Sequence, residues 1–109
     1  MRNETIWRPT KYVQRGGRWR TSLDTKEVGV GSRLISDAVA KRYAEHLASC
    51  AHGRLLDLGC GKAPLYGVYR SLVTNVTCCD WADDVHVDVV SDLAQPLPFA
   101  DGAFDTIIL

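Results

Sequence analysis

The sequence predicts an α/β fold: an open, mostly parallel sheet of about four strands with a helix in front of it. Three observations lead to this prediction. An apolar run at residues 54–58 enters a glycine turn, a segment with helical spacing follows that turn, and further apolar runs come later in the chain. An apolar strand that feeds a glycine turn is how a buried parallel strand begins an α/β unit.

The two predicted helices show apolar residues that recur three and four positions apart. Ser32 suits the N-cap of the leading helix, and Gly53 lies just beyond its end. The apolar face of this helix consists of Ile35, Ala38, Val39, Tyr43 and Leu47. Pro64 suits the first turn of the second helix. The apolar stripe of the second helix consists of Leu65, Val68, Tyr69 and Leu72.

Three further strands are predicted after the second helix. The second strand covers residues 76–79 and ends at Asp80, and the fourth covers residues 104–109. The third covers residues 85–90, where valines alternate with polar residues and place His86 on the polar face. Only four residues lie between Asp80 and the third strand, whereas a parallel crossover normally takes about a dozen. Either this link is unusual or the third strand is wrongly assigned.

The fourth strand ends at Leu109 with apolar residues on both faces and no following loop or helix to cover it. Complete domains avoid an uncovered strand of this kind, because it pairs with other chains. We therefore expect residues 32–109 to be a partial domain, the first half of a larger one that is truncated after its fourth strand. The exposed strand is also where an oligomer would form.

Composition indicates an ordinary globular protein. Basic and acidic residues number 13 each and together make up 24% of the chain, which argues against a disordered tail. No apolar run approaches the ~20 residues that span a bilayer, and the N-terminus lacks a signal-peptide core. We expect a cytoplasmic protein without membrane contact. The cysteines predict buried reduced thiols and no metal site, because no C-x-x-C pair occurs among Cys50, Cys60, Cys78 and Cys79.

Residues 1–31 form a basic N-terminal arm. Residues 1–27 hold seven basic and three acidic side chains, a balance of +4, whereas residues 28–109 carry −4. The arm also contains Trp7, Tyr12 and Trp19. Cations interleaved with aromatic residues can grip a nucleic-acid backbone and stack on bases. We favour the simpler interpretation, in which the aromatic residues pack on the domain and the arginines remain in water.

Candidate site residues follow the first three strands of the predicted sheet, at whose carboxyl ends ligands bind in such folds. Gly59, Cys60 and Gly61 follow the first strand, where glycine lets the backbone pass close to a ligand. The next helix would offer free N–H groups at its N-terminus. Asp80, which closes the second strand, can accept hydrogen bonds from both hydroxyls of a ribose, and Trp81 can cover an adenine.

Asp92 and Leu93 follow the third strand, where a carboxylate and a backbone N–H can meet the polar edge of a purine. Three segments in order then resemble class I S-adenosylmethionine-dependent methyltransferases. Residues 55–61, which read LLDLGCG, are similar to the glycine-rich first motif of that family, and Asp80 is similar to its acidic residue after the second strand. Residues 92–105, which read DLAQPLPFADGAFD, are similar to the segment between its third and fourth strands.

The resemblance covers residues 33–109 and implies a Rossmann-like fold and an S-adenosylmethionine cofactor. By that resemblance Gly59, Cys60 and Gly61 border the methionine part of the cofactor, and Asp57 orients its amino group. Asp80 would hold the ribose, with Trp81 beside it, and Asp92 and Leu93 would frame the adenine. The resemblance implies methyl transfer to an unidentified acceptor and assigns no catalytic residue. Because the family's domain has further strands, we expect little turnover from this chain alone.

Three alternatives compete with the methyltransferase hypothesis. A nicotinamide-binding unit needs a small residue three positions after Gly61, and Pro64 stands there. A P-loop is excluded because no G-x-x-x-x-G-K-[ST] pattern occurs. A non-catalytic binding or regulatory module is the alternative from another class. It would use the basic arm for nucleic acid or the open sheet edge for a protein partner.

Overall fold

The structure is a computed structural model that describes residues 1–109. The chain forms a small hairpin, one long helix and a sheet with a single helical turn inserted in it. In order, the strands and helices are β1 (Tyr12–Arg15), β2 (Arg18–Thr21), α1 (Arg33–Cys50), β3 (Arg54–Leu58), α2 (Tyr66–Tyr69), β4 (Asn75–Asp80), β5 (Val89–Val90) and β6 (Thr106–Ile108). Two short 3-10 turns, Glu4–Ile6 and Val30–Ser32, precede β1 and α1.

The main sheet has four parallel strands in the order β5-β4-β3-β6. Strand β3 lies in the centre, with Leu55 opposite Val76 on one side and Thr106 on the other. The predicted α/β fold with a parallel sheet is therefore confirmed. A separate antiparallel hairpin of β1 and β2 lies outside this sheet, and the sequence analysis did not predict it.

The core lies on both faces of β3, because successive side chains of a strand point to opposite faces. Leu55 belongs to the larger cluster, which also contains Trp7 and Tyr69. Leu56 and Leu58 belong to a smaller cluster on the other face, against which Phe99 and Phe104 pack. This two-sided burial explains why the leucines of residues 54–58 do not follow a strict alternation of apolar and polar residues.

The apolar face predicted for α1 is wrong in its first half. Ile35 is 70% exposed and Ala38 is also exposed. The buried residues of α1 are Ser36, Ala40 and Leu47. The reason is that β2 packs along the first half of this helix, so tertiary contact with the hairpin decides which side is covered. Ser32 does occupy the N-cap position of α1, as predicted. It has helical backbone angles and its side chain makes no capping hydrogen bond, because the preceding 3-10 turn runs directly into α1.

The third predicted strand is much shorter than expected, since β5 contains only Val89 and Val90. The link from β4 spans residues 81–88, has no helix, and turns at residues 84–87, where the Val87 amide donates to the Asp84 carbonyl at 3.1 Å. His86 is buried rather than on a polar face, with its Nδ1 3.3 Å from the Arg2 carbonyl oxygen. The unusual link anticipated from the sequence is thus present.

Three smaller expectations also differ from the structure. The second helix is a single turn, Tyr66–Tyr69, and the last strand stops at Ile108 after beginning at Thr106. Cys50 is exposed, because it lies on the outer side of the last turn of α1; the other three cysteines are buried and all four are unpaired. No helix in the structure has the length and apolar character needed to cross a bilayer.

The N-terminal arm packs against both the sheet and α1. The Trp7 side chain is buried in the main core, and its indole N–H donates to the Ala63 carbonyl at 3.0 Å. The Met1 ammonium group donates to the Val76 carbonyl at 2.5 Å, and Arg2 forms an ion pair with Asp83 beside the β4–β5 link. The arm is therefore a structural part of the folded chain.

Candidate functional site

Two chain segments meet at the carboxyl ends of β3 and β4. The glycine loop, residues 59–61, leaves β3, and Asp80 closes β4 beside it. The Gly61 amide donates to Asp80 Oδ2 at 2.7 Å, and the Gly59 amide donates to the Cys79 carbonyl at 2.8 Å. The parallel register of the two strands brings these groups together, because Leu58 is paired with Cys79.

The glycines of this loop have backbone conformations that other residues rarely adopt. Gly59 has φ of 70° and Gly61 has φ of 50°, in the left-handed region where a Cβ causes strain. The space beside Gly61 is open, and a Cβ at Gly59 would meet only Leu93 Cδ1 at 3.9 Å. A ligand can therefore approach the backbone at Gly61 more closely than any side chain there would allow.

Asp80 is held in place before any ligand binds. Its Oδ2 accepts the Gly61 amide at 2.7 Å, and its Oδ1 accepts the Ala82 amide at 3.1 Å. Each carboxylate oxygen has two lone pairs, so each one retains an acceptor site. Asp80 is 6% exposed, which limits the number of waters that compete for those sites. The arrangement can accept two further hydrogen bonds from a pair of neighbouring hydroxyl groups.

Asp57 is a second buried carboxylate on the same edge of the sheet. It is 5% exposed, and the Tyr69 hydroxyl donates to its Oδ2 at 2.6 Å. Burial raises the pKa of Asp57 to about 6, although the Tyr69 hydrogen bond acts in the opposite direction, and the nearby charge of Asp80 adds to the rise. Such a perturbed carboxyl beside a glycine loop is typical of functional sites.

Tyr69 is the residue of this region that the sequence analysis missed. The spacing of Tyr69 indicated only an apolar stripe, yet it is fully buried and a buried tyrosine needs a hydrogen-bond partner. Burial and the charge of Asp57 both raise the pKa of Tyr69, so its hydroxyl remains a donor. The need of a buried tyrosine for an acceptor could have indicated this hydrogen bond from the sequence, with Asp57 as the acceptor.

The other predicted site residues occupy different environments. Trp81 is 77% exposed beside Asp80, and Leu93 lies next to Gly59. Asp92 uses its Oδ1 to accept the Ala94 amide at 2.9 Å, within its own turn. Cys60 is buried in the main core. The structure therefore brings Gly59, Gly61, Asp80 and Leu93 together, whereas the Asp92 carboxylate bonds within its own loop.

The helix after the glycine loop is too short to provide the expected N-terminal binding site. The helix α2 has only four residues, and Ala63 before it has φ of 49°. A single turn has too few aligned peptide groups to present a substantial dipole. This loop therefore offers glycine backbone and carboxylates, and no site for a phosphate group.

Two cavities lie away from this edge of the sheet. One of about 790 Å³ separates the hairpin from α1 and is lined by Trp19, Leu34 and Asp37 among others. Another of about 450 Å³ lies on the hairpin itself and is lined by arginine and glycine only. At the sheet edge Asp80 is buried, whereas Trp81 and Leu93 are exposed.

The fold and this edge define an α/β protein with a glycine loop and a buried carboxylate at the ends of two adjacent parallel strands. Comparison with known proteins adds no family: no protein-family model matches the chain, and no significant match is found among curated proteins or solved structures.

Proposed function

We propose that this chain binds S-adenosylmethionine at the carboxyl ends of β3 and β4, as the cofactor-binding half of a Rossmann-like class I methyltransferase. The observation that carries the proposal is the pairing of Asp80 Oδ2 with the Gly61 amide at 2.7 Å. It places a fixed carboxylate beside a glycine backbone with open space in front of it.

Each part of the cofactor has a matching group on this edge. The two ribose hydroxyls would donate to the free lone pairs of Asp80. The adenine would lie between Trp81 and Leu93, which are exposed apolar surfaces on the two loops that flank the carboxylate. The methionine part would follow the glycine loop, and Asp57, the buried carboxylate two residues before Gly59, would supply negative charge toward its ammonium group.

The same groups favour a ligand without a phosphate at this loop over a nicotinamide dinucleotide. A dinucleotide places its pyrophosphate on the N-terminus of the helix after the glycine loop. Here that helix is one turn long, and Pro64 occupies the position that must be small for close helix packing. Two buried carboxylates near the loop, Asp57 and Asp80, would also repel a pyrophosphate.

When bound, the cofactor would supply an electrophilic methyl group whose leaving group is the cofactor's own sulfur. The chain's contribution would be positioning of the cofactor, which carries much of the catalysis in such a reaction. The acceptor and any base lie outside the proposal.

Calorimetric titration with S-adenosylhomocysteine tests the proposal. We expect saturable binding to the wild-type chain and at least about a tenfold loss of affinity in Asp80→Asn, because a hydrogen bond to a charged acceptor contributes about 1.5 to 3 kcal/mol. Asp101→Asn is the matched control, since Asp101 is exposed in a distant turn. A wild-type chain that unfolds cooperatively in urea yet shows no heat of binding contradicts the proposal.

A further inference from the structure

The β1–β2 hairpin has two chemically different faces. Its inner face carries Tyr12 and Thr21, which are buried, and Trp19, which packs against the main core. Side chains alternate between faces along a strand, so the residues between these belong to the outer face. The basic residues on that outer face are Arg15, Arg18 and Arg20. We call these three residues the arginine face.

Like charges are placed directly opposite each other on this face. Arg15 is the cross-strand partner of Arg18, and Arg20 lies two residues further along β2. Opposed like charges destabilise a strand pair, so folding alone does not favour this arrangement. A two-residue turn, Gly16 and Gly17, holds the strands in register with positive φ at both positions, as type I′ turns require.

The arginine face has few counter-charges. Arg20 Nη1 lies 3.7 Å from Asp37 Oδ2, and Arg15 Nη2 donates to the Thr21 carbonyl at 3.0 Å. Arg18 has no ion-pair partner in the structure. Arg20 is therefore the only one of the three that forms an ion pair, and the three side chains line a shallow surface depression of about 450 Å³ that no hydrophobic residue lines. Such a lining favours an anionic ligand.

We propose that the arginine face binds the phosphodiester backbone of a nucleic acid. A planar guanidinium donates two hydrogen bonds to one phosphate, and a two-stranded ribbon has the dimensions to enter the major groove of a DNA duplex. The aromatic side chains of this ribbon, Tyr12 and Trp19, lie on the inner face, so the arginine face presents no ring to stack on bases. Binding through phosphate contacts alone is independent of base sequence.

Fluorescence anisotropy with a short labelled DNA duplex at several salt concentrations tests this inference. Three phosphate contacts predict a slope of log K against log salt of about −2.7, and Arg18→Gln should reduce its magnitude by about 0.9. Arg42→Gln is the matched control, because Arg42 is exposed on α1 and pairs only with Glu45. We expect the control to keep the wild-type slope.

Three further measurements identify the source of the anion, check that the variant folds, and separate this inference from the cofactor proposal. Inorganic tripolyphosphate should compete with the duplex; if tripolyphosphate binds the chain and the duplex does not, the nucleic-acid assignment is overturned. Equal urea midpoints for wild type and Arg18→Gln would show that the variant folds. Absence of duplex binding at low salt, or an equal slope in Arg18→Gln, overturns the inference. Asp80→Asn should leave duplex binding unchanged, which separates this result from the cofactor proposal.

Discussion

The carboxyl edge of the sheet and the β1–β2 hairpin differ in the sign and the burial of their charged side chains. At the carboxyl edge of the sheet, Asp57 and Asp80 are buried. The Tyr69 hydroxyl donates to Asp57, and the Gly61 amide donates to Asp80. On the hairpin, Arg15 and Arg18 are exposed and face each other without a carboxylate between them. Buried, oriented charges act on defined atoms at short range, whereas exposed charges act over a Debye length and weaken with salt. The contrast is therefore between buried, oriented carboxylates at the sheet edge and exposed, cationic side chains on the hairpin.

The largest predicted effect tests whether the two regions belong to one folded unit. Trp7 is 7% exposed and joins the arm to the core of the sheet. Trp7→Ala should lower the free energy of unfolding by about 3 to 5 kcal/mol, because it empties a large buried volume. Urea unfolding of the full chain measures it.

Trp81→Ala is the control for that substitution, since the Trp81 ring is 77% exposed. It should leave the free energy of unfolding almost unchanged. Equal stability of Trp7→Ala and wild type would mean that the arm and the sheet are independent.

The second prediction concerns the protonation of Asp57, one of the two buried carboxylates at the sheet edge. Burial first, and then the charge of Asp80, raise the pKa of Asp57 to about 6 despite the Tyr69 hydrogen bond, so the folded chain holds a proton that the unfolded chain releases near pH 4. Stability from this group is present below about pH 4 and is lost as pH rises to about 6. Wild type should thus lose about 2 to 3 kcal/mol between pH 4 and pH 7 relative to Asp57→Asn.

Urea unfolding of both chains at the two pH values gives this double difference directly. Other titrating groups cancel, because wild type and variant share them. An unchanged difference between pH 4 and pH 7 would show that Asp57 ionises normally, and would remove the main electrostatic feature of the site.

The third prediction tests the contact through which the arm reaches the sheet. A Cβ at Gly67 would lie 2.5 Å from a ring carbon of Trp19 and 2.8 Å from one of Trp7. Gly67→Ala should cost about 1 to 3 kcal/mol of stability, because two packed rings must move. Gly29→Ala is the matched control, since nothing lies within 4 Å of the added carbon. If Gly67→Ala proved as stable as Gly29→Ala in urea, the two rings would not meet at this glycine.

The smallest effect on stability is expected at the glycine loop. Gly61→Ala meets no neighbouring atom but keeps a φ of 50°, so it should cost about 1 to 2 kcal/mol. Under the proposed function, the added methyl group should abolish S-adenosylhomocysteine binding in calorimetry, because it occupies the space of the ligand. Unimpaired binding by a folded Gly61→Ala chain would place the ligand elsewhere.

The parallel sheet could be predicted because the signals that indicate it are local. Residues 54–58 contain three leucines and are bounded by Gly53 and Gly59, and the strand predicted there has the bounds that the structure shows. The approach of Gly61 to Asp80 also follows from a general rule, that the carboxyl ends of parallel strands meet at one edge. Predicting these features does not require knowing which elements pack against each other.

The features that could not be predicted depend on contacts between distant parts of the chain. Ile35 lies on an exposed side of α1 because the hairpin takes the neighbouring side, and β5 is short because its link must cross without a helix. The hydrogen bond from Tyr69 to Asp57 depends on the face of β3 to which Asp57 points. Periodicity cannot show these contacts, because each one is set by tertiary structure.

The burial of Trp7 also has a consequence for the order of events during synthesis. The indole N–H of Trp7 pairs with a carbonyl 56 residues later in the chain. At about 5 to 20 residues per second, this ring leaves the ribosome several seconds before its partner does. A contact of such long range slows folding. The arm therefore begins as an exposed aromatic segment that a chaperone can hold, and it becomes structural only when the glycine loop and α2 have emerged.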